Sequence, residues 1–259
     1  MGESKTKVIV DAGRLDCRGL HPFRDQVAAE RKFLIKTSEG HCLPVRCTPQ
    51  DLEELALGQL FYRGCIQNAR QIKEIEIVPE AGEIRVQMEA HCPAGEEMLR
   101  TQEESSRQAI PEEAMQIQGD TGEMLRQTSP EEIGGLFQAA EEIFFNPGPL
   151  FVETGCAHAC VLYRAGKVLC KREDIGRHNA LDKVIGYALK EQLDLKQTAV
   201  FTTGRVSGDY MEKIIRSGIP TVVSRAAVTD EALRLARTHK VVLYGFVRKG
   251  TGNQYAPEL

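Results

Sequence analysis

Residues 199–224 read AVFTTGRVSGDYMEKIIRSGIPTVVS, and this stretch decides the fold class. An apolar run at 199–203 is followed by helical spacing at 207–217 and by a second apolar run at 221–224. The order strand, helix, strand is typical of parallel strands joined by a crossover helix. The stretch therefore predicts one unit of a parallel, helix-covered α/β sheet.

The same alternation continues on both sides of this unit. Apolar runs and helical spacing predict paired strands at 152–163 and 167–171, helices at 178–190 and 229–239, and a strand at 241–247. A further helix is expected at 131–145, where apolar residues return at helical spacing. We therefore predict one α/β domain over 131–259.

The first half of the chain predicts a smaller α+β part over 31–130. Its expected elements are a loose arm over 1–30, a hairpin over 31–47, a helix over 49–63, and paired strands at 72–78 and 83–89. Thr48 is expected to cap the helix, with Pro49 at its first position. Residues 91–130 are polar with little periodic apolar content, which indicates a junction loop between the two halves.

The overall composition favours a cytoplasmic globular protein. A net charge of −4 does not favour a general nucleic-acid binder, which needs excess cations to neutralise phosphates. The N-terminus has no apolar segment of a secretory signal, and no apolar run of about 18 residues predicts a membrane span. In the cytoplasm the eight cysteines are expected to be thiols.

Four basic residues follow the predicted strands at their carboxyl ends: Arg205, Arg225, Arg248 and Lys249. In α/β sheets, ligands bind at this edge, and arginine matches the oxygen pattern of phosphate. The turn at Gly176 is expected at the same edge. These residues indicate an anion site for a phosphate or pyrophosphate, unless they are ordinary surface cations in turns.

A dense polar run, REDIGRHNALDK, spans residues 172–183 and enters the helix expected at 178–190. Asp174 is placed to cap that helix, and His178 could move a proton near neutral pH. The alternative is a helix cap with surface ion pairs, which carries no chemistry.

Residues 154–160, TGCAHAC, hold the single Cys-His-Cys cluster of the chain. On a strand, Cys156, His158 and Cys160 would share one face, because side chains alternate. Such a set could bind zinc with a fourth ligand, present a reactive thiol beside an imidazole, or be two buried core cysteines. We expect the cysteines elsewhere to be structural (Cys42, Cys47, Cys65 and Cys170) or exposed (Cys17 and Cys92).

Residues 173–186, EDIGRHNALDKVIG, resemble the specific signature of the FdhD family. Further matches in the same order are TPQDLEELALG at 48–58, Thr203-Gly204-Arg205 with Ser207 and Glu212, SGIP at 217–220, and GFVR at 245–248 with Asn253 and Tyr255. The resemblance covers about 30–90 and 130–256, so the polar middle alone fails to match.

The resemblance implies an α/β fold like cytidine deaminase, with a mixed sheet, helices on both faces, a smaller β-rich N-terminal part, and a homodimer. It implies formate dehydrogenase maturation: persulfide sulfur passes from a cysteine desulfurase to the molybdenum bis(molybdopterin guanine dinucleotide) cofactor, the bound cargo, for apo formate dehydrogenase. A GDP-like ligand is also implied. The family's cofactor-binding stretch corresponds to residues Phe246, Val247, Arg248, Lys249, Gly250 and Thr251, and we add Arg205.

The chain departs from the family at one point that concerns its chemistry. The family's Cys-x-x-Cys loop before the helix at 131–145 is absent, and Cys156 stands where relatives commonly have glycine. Cys156 or Cys160 could replace the missing thiol, or Cys92 could approach, so sulfurtransferase activity stays open. The alternative is a non-catalytic module that carries the same cofactor. A zinc deaminase is disfavoured, because its His-x-Glu and Pro-Cys-x-x-Cys motifs are lacking.

Overall fold

The computed structural model describes residues 6–89 and 130–256, with side chains from 133 onward in the second range. The polar junction predicted at 91–130 and Cys92 lie outside the described residues. Within the described ranges, no helix is both long enough and apolar enough to cross a membrane.

The N-terminal segment forms a regular antiparallel hairpin where the sequence predicted a loose arm. Strands β1 (Lys7–Asp16) and β2 (Gly19–Ala28) pair along their whole length. Most of their side chains are exposed, including Leu15 and Leu20 near the tip. The alternation of apolar residues is weak here, so the sequence pattern gave no strand signal.

A four-stranded sheet with one helix follows the hairpin. Its elements are β3 (Arg31–Thr37), β4 (Cys42–Cys47), α1 (Leu52–Tyr62), β5 (Ile72–Val78) and β6 (Glu83–Met88). The strand order is β4-β3-β6-β5, with β3 parallel to β6 and the other pairs antiparallel. The predicted hairpin at 31–47 and the strand pair after it are confirmed.

The second half forms a six-stranded mixed sheet, which confirms the predicted fold class. Its elements are α2 (Pro130–Phe145), α3 (Pro149–Thr154), β7 (His158–Arg164), β8 (Lys167–Asp174), α4 (Arg177–Lys190), β9 (Ala199–Thr202), α5 (Gly208–Ser217), β10 (Thr221–Ser224), α6 (Asp230–Thr238), β11 (Val242–Arg248) and β12 (Thr251–Ala256). The strand order is β12-β11-β10-β9-β7-β8, and β9, β10 and β11 are parallel.

Helices cover both faces of this sheet. The residues of α4, α5 and α6 form the larger core on one face, and Ala140 and Phe144 of α2 pack on the other. On the α2 face, Phe137 meets Tyr244 edge-on at 5.4 Å between ring centroids. Aromatic pairs of this geometry add to the stability that burial provides.

Two local predictions were wrong. Helix α1 begins at Leu52 after Asp51 in a left-handed conformation, so Thr48 is not its cap. Thr48 is instead fully buried, where its N–H donates to Asp174 Oδ2 at 3.1 Å. The strand predicted from 152 begins at His158, because Pro149 and the αL glycine Gly155 bound a short helix first.

The two halves meet where α1 crosses α4, and the crossing is closest at two glycines. A Cβ atom at Gly58 would lie 2.0 Å from the carbonyl oxygen of Asp182, and one at Gly186 would lie 1.9 Å from that of Glu54. Only glycine permits such an approach of two helix backbones. Both glycines belong to the stretches that carry the family resemblance.

Candidate functional site

The carboxyl ends of the central strands form one edge of the six-stranded sheet. Strands β9, β10 and β11 are parallel and β7 is antiparallel to β9, so the start of β7 lies at the same edge as their ends. The end of β8 reaches this edge as well, because β8 is antiparallel to β7. Loops at the carboxyl ends of strands are where sheets of this kind bind ligands.

Three arginines from three successive strands line one pocket at this edge. Arg205 follows β9, Arg225 follows β10 and Arg248 ends β11, and the pocket has a volume of about 660 Å³. This volume is within the range of small-molecule and cofactor sites. Among the described residues none of the three forms an ion pair, so their guanidinium groups are available to an anion.

One buried hydroxyl group and a backbone hydrogen bond fix the loops that carry these arginines. The Ser224 hydroxyl, fully buried, donates to the carbonyl of Gly204 at 2.9 Å and accepts from the N–H of Ala226 at 3.0 Å. The N–H of Arg225 donates to the carbonyl of Thr202 at 3.0 Å. These bonds connect the loops after β9 and β10, so the pocket wall is held before any ligand binds.

Cys156 and His158 line the same pocket, together with Phe151. Cys156 is exposed and precedes β7, while His158 is half-buried at the first position of that strand. Burial lowers the pKa of His158, and the charges of Arg177 and Arg205 lower it further. The imidazole is therefore neutral at neutral pH and can accept a proton from a neighbouring group.

Cys160 is separated from this site, although the sequence placed it on one face with Cys156. Its side chain is fully buried in the core, and its Sγ lies 3.7 Å from the hydroxyl of Tyr210. Burial raises the pKa of the Cys160 thiol, which keeps it protonated and unreactive. The prediction of a shared face was wrong because Cys156 is not part of the strand.

The C-terminal stretch that the resemblance assigned to cofactor binding divides into three parts. Phe246 and Arg248 line the pocket, and Phe246 has a positive φ of 54°. Val247 points into the core and is 1% exposed. Residues 249–251 form the exposed turn into β12, outside the pocket lining. Their roles toward a cofactor stay predictions.

The polar run at 172–183 does not form surface ion pairs; its charged residues mostly enter the contact between the two halves. The Lys183 ammonium and the Asp174 carboxylate are fully buried and 2.7 Å apart, and Asp174 also accepts from Thr48. Asp174 holds the Asn179 amide at 3.0 Å, and Gly176, not Asp174, is the N-cap of α4. The run is therefore chiefly structural.

A second buried pair lies in the same contact. Asp182 accepts from Lys213 Nζ at 2.6 Å and from Gln59 Nε2 at 2.5 Å. Burial raises the pKa of Asp182, and the Lys213 ammonium opposes that rise. We call Asp174, Lys183, Asp182 and Lys213 the interface cluster. Sequence reasoning missed it because its members come from β8, α4 and α5, contact residues of the first half such as Gln59 of α1, and carry no local periodic signal.

His178 also belongs to the polar run but lies beside the cluster. Its Nε2 is 3.3 Å from Asp209 Oδ2, and its ring packs on Tyr210. Burial lowers the pKa of His178 to about 4, more than the nearby Asp209 raises it. The imidazole is thus neutral at physiological pH, and its pKa lies well below the neutral range that the sequence predicted.

The remaining cysteines lie mostly where the sequence predicted. Cys47, Cys65 and Cys170 are buried, whereas Cys17 and Cys42 are exposed. Cys42 was expected to be structural, but buried and exposed residues alternate along β4, and Cys42 lies on the exposed face. Among the described residues no group of three His, Cys, Asp or Glu side chains is arranged to hold a metal ion.

Together, these elements define an α/β protein whose mixed sheet carries an arginine-lined pocket at the carboxyl ends of its parallel strands. The FdhD/NarQ family model matches residues 28–258, and the chain therefore belongs to this family.

Known relatives agree with this assignment over nearly their whole length. A sulfur carrier protein FdhD from Shouchella clausii is 29% identical over 241 residues, which cover 89% of this chain and 88% of that protein. The protein of the same name from Bacillus subtilis is 26% identical over 256 residues, covering 97% and 96% of the two chains. A crystal structure described as a formate dehydrogenase accessory protein from Desulfotalea psychrophila superimposes with a TM-score of 0.73, 26% identity and 96% coverage of each chain.

Proposed function

We propose that this protein is a sulfur carrier for formate dehydrogenase maturation and that Cys156 is its sulfur-bearing thiol. The observation that carries the proposal is one pocket lined both by Cys156 and by three arginines that, among the residues the structure describes, form no ion pair. Family membership and the names of the relatives support the same role.

The cargo in this proposal is the molybdenum bis(molybdopterin guanine dinucleotide) cofactor. Arg205, Arg225 and Arg248 suit the pyrophosphate of one guanine dinucleotide, since guanidinium groups bind phosphate through paired hydrogen bonds. Phe246 offers an aromatic surface, 39% exposed, at the same edge. GDP is therefore expected to bind as a fragment of the cargo.

The sulfur chemistry follows from an exposed thiol near a neutral imidazole. His158 takes the proton of Cys156, and the thiolate attacks the outer sulfur of a persulfide on a cysteine desulfurase. The desulfurase thiolate leaves, so the outer sulfur atom is transferred to Cys156 without net oxidation or reduction. An external thiol that attacks the inner Cys156 sulfur then releases hydrosulfide for the cargo and forms a mixed disulfide.

The test is peptide mass spectrometry after incubation with a cysteine desulfurase and cysteine. We expect one added sulfur on Cys156, its loss in Cys156→Ser, and its retention in the matched control Cys17→Ser, which changes another exposed thiol. GDP should slow alkylation of Cys156 but not of Cys17.

The second candidate is a carrier of the cofactor that transfers no sulfur. The absence of the family's Cys-x-x-Cys loop and the burial of Cys160 favour it. If no cysteine gains sulfur while GDP still binds, this second function replaces the first. Apo formate dehydrogenase is the expected recipient in both cases, and a homodimer is expected in both.

A further inference from the structure

The pocket wall that holds Cys156 is formed by a very short helix. Phe151 of α3 and the following Gly155 and Cys156 all line the pocket. A helix of six residues is too short to be stable without outside support, because helix nucleation is costly. The position of Cys156 therefore depends on what holds α3.

Glu173, on β8, holds the start of this helix. The N–H groups of Leu150 and Phe151 donate to the two oxygens of the Glu173 carboxylate at 3.1 Å and 2.9 Å. The N-cap of α3, Gly148, has no side chain that could do this, and a Cβ atom there would lie 2.2 Å from the Glu173 carboxyl carbon. The carboxylate thus replaces an ordinary cap.

Hydrogen bonds continue from this point to Cys156. The carbonyl of Leu150 accepts from the Thr154 hydroxyl at 2.6 Å, and the same hydroxyl oxygen accepts from the N–H of Cys156 at 3.2 Å. The N–H of Gly155 donates to the carbonyl of Phe151 at 2.7 Å. An unbroken series of bonds therefore connects Glu173 to the backbone of Cys156.

The backbone of Glu173 is itself fixed in the core. Glu173 pairs with Ala159 of β7, and its carbonyl accepts from the buried Lys183 ammonium at 3.1 Å. Lys183 in turn pairs with Asp174, the next residue on β8. The support of α3 is thus anchored by the interface cluster.

We propose that Glu173 and Thr154 are positioning residues that hold the Cys156 thiol among the pocket arginines. This inference rests on the proposed function, in which Cys156 carries sulfur, and it adds how the chain compensates for the missing Cys-x-x-Cys loop. Neither residue touches the reacting sulfur, and both act through the end of α3.

The test compares alkylation of Cys156 by an anionic reagent, iodoacetate, and a neutral one, iodoacetamide. A thiol among arginines reacts preferentially with the anion, because a local positive field raises the anion's concentration. The measured quantity is the ratio of the alkylation rate with iodoacetate to the rate with iodoacetamide. The same ratio at Cys17 in the same molecule is the reference. Loss of positioning should lower the ratio at Cys156, whereas loss of one negative charge by itself would raise it.

We expect Glu173→Gln and Thr154→Val each to lower the ratio by roughly threefold, a small part of what local fields produce. Thr154→Ser keeps the hydroxyl and should restore the ratio of the unaltered protein. Glu153→Gln is the matched control, because it removes a carboxylate of α3 that pairs with Lys7 on the hairpin. Its ratio should not fall.

The outcomes separate this inference from the proposed function. An unchanged ratio in both Glu173→Gln and Thr154→Val, or an equal loss in Thr154→Ser, overturns the positioning role whatever the sulfur assay gives. Absence of sulfur on Cys156 in the unaltered protein overturns sulfur transfer, while the ratio still reports on position. Alkylation of the buried Cys170 reveals a variant that has unfolded. If Glu173→Gln unfolds, the comparison of Thr154→Val with Thr154→Ser decides whether the positioning role holds.

Discussion

The interface cluster and the strand-end pocket both concentrate cations, but they differ in how those cations are paired. In the cluster, Lys183 and Lys213 each meet an acid at 2.7 Å or less and are almost fully buried. In the pocket, the three arginines are exposed and, within the described ranges, form no ion pair. Buried charges need partners to offset desolvation, whereas exposed unpaired charges remain available to a ligand.

This difference explains why the densest polar motif contributes paired charges to the contact between the halves and no arginine or lysine to the pocket lining. The run at 172–183 has the composition of an active site, yet Asp174, Asp182 and Lys183 connect the two halves. The side chains that line the pocket come instead from separate segments, at the ends of β9, β10 and β11 and before β7. Changes in the cluster should therefore affect stability, and changes in the pocket should affect binding.

The largest effect is expected from Asp182→Ala. It leaves the Lys213 ammonium buried without its acid, which should lower the free energy of unfolding by about 3–5 kcal/mol. Urea unfolding measures the change. The double variant Asp182→Leu with Lys213→Met removes both charges and should recover most of the stability. A double variant as unstable as the single one would contradict this account of the pair.

Gly186→Ala should destabilise the contact between the halves next most. The new Cβ atom would overlap the Glu54 carbonyl of α1, and overpacking of this kind costs about 1–3 kcal/mol. Gly134→Ala in α2 is the control, since nothing lies within 4 Å of its Cβ position. The midpoint temperature of thermal unfolding should fall for Gly186→Ala and stay the same or rise for Gly134→Ala. Equal midpoints in the two variants would show that the helix crossing tolerates a side chain.

Arg248→Ala should separate binding from stability. We expect GDP to bind about 1–3 kcal/mol more weakly, because a charge-assisted contact to phosphate is lost, with unfolding unchanged. Calorimetric titration measures the affinity. Arg164→Ala, in the β7–β8 turn at the opposite edge of the sheet, should leave it unchanged. Unaltered GDP affinity in Arg248→Ala would remove that residue from the site.

The smallest effect concerns His178 and pH. Its pKa of about 4 in the fold lies below the ordinary value of 6.5, so the unfolded chain binds more protons between these values. The contribution of His178 to stability should therefore be complete above pH 6.5 and should be lost toward pH 4, with a loss on the order of 1–2 kcal/mol between pH 7 and pH 5. Urea unfolding at pH 7 and pH 5 measures this, and His178→Asn should lose less stability over the same interval. An equal loss would assign the pH dependence to other groups.

Much of the fold was predictable from the sequence because apolar periodicity is a local signal. The alternation at 199–248 placed the parallel strands, and the carboxyl-end rule brought Arg205, Arg225 and Arg248 to one edge. The start of β7 was missed because Pro149 and Gly155 form a short helix within an apolar run.

The sequence by itself determined most of the strand and helix order from residue 31 onward, the fold class and the edge where arginines gather, since these follow from periodicity and chain direction. Only the tertiary structure decided which polar residues are buried together and which thiol is accessible. Cys156 and Cys160 are four residues apart, yet one faces the pocket and the other the core. Burial and pairing depend on contacts between residues far apart in sequence, such as Thr48 with Asp174 and Gln59 with Asp182, and no local pattern encodes them.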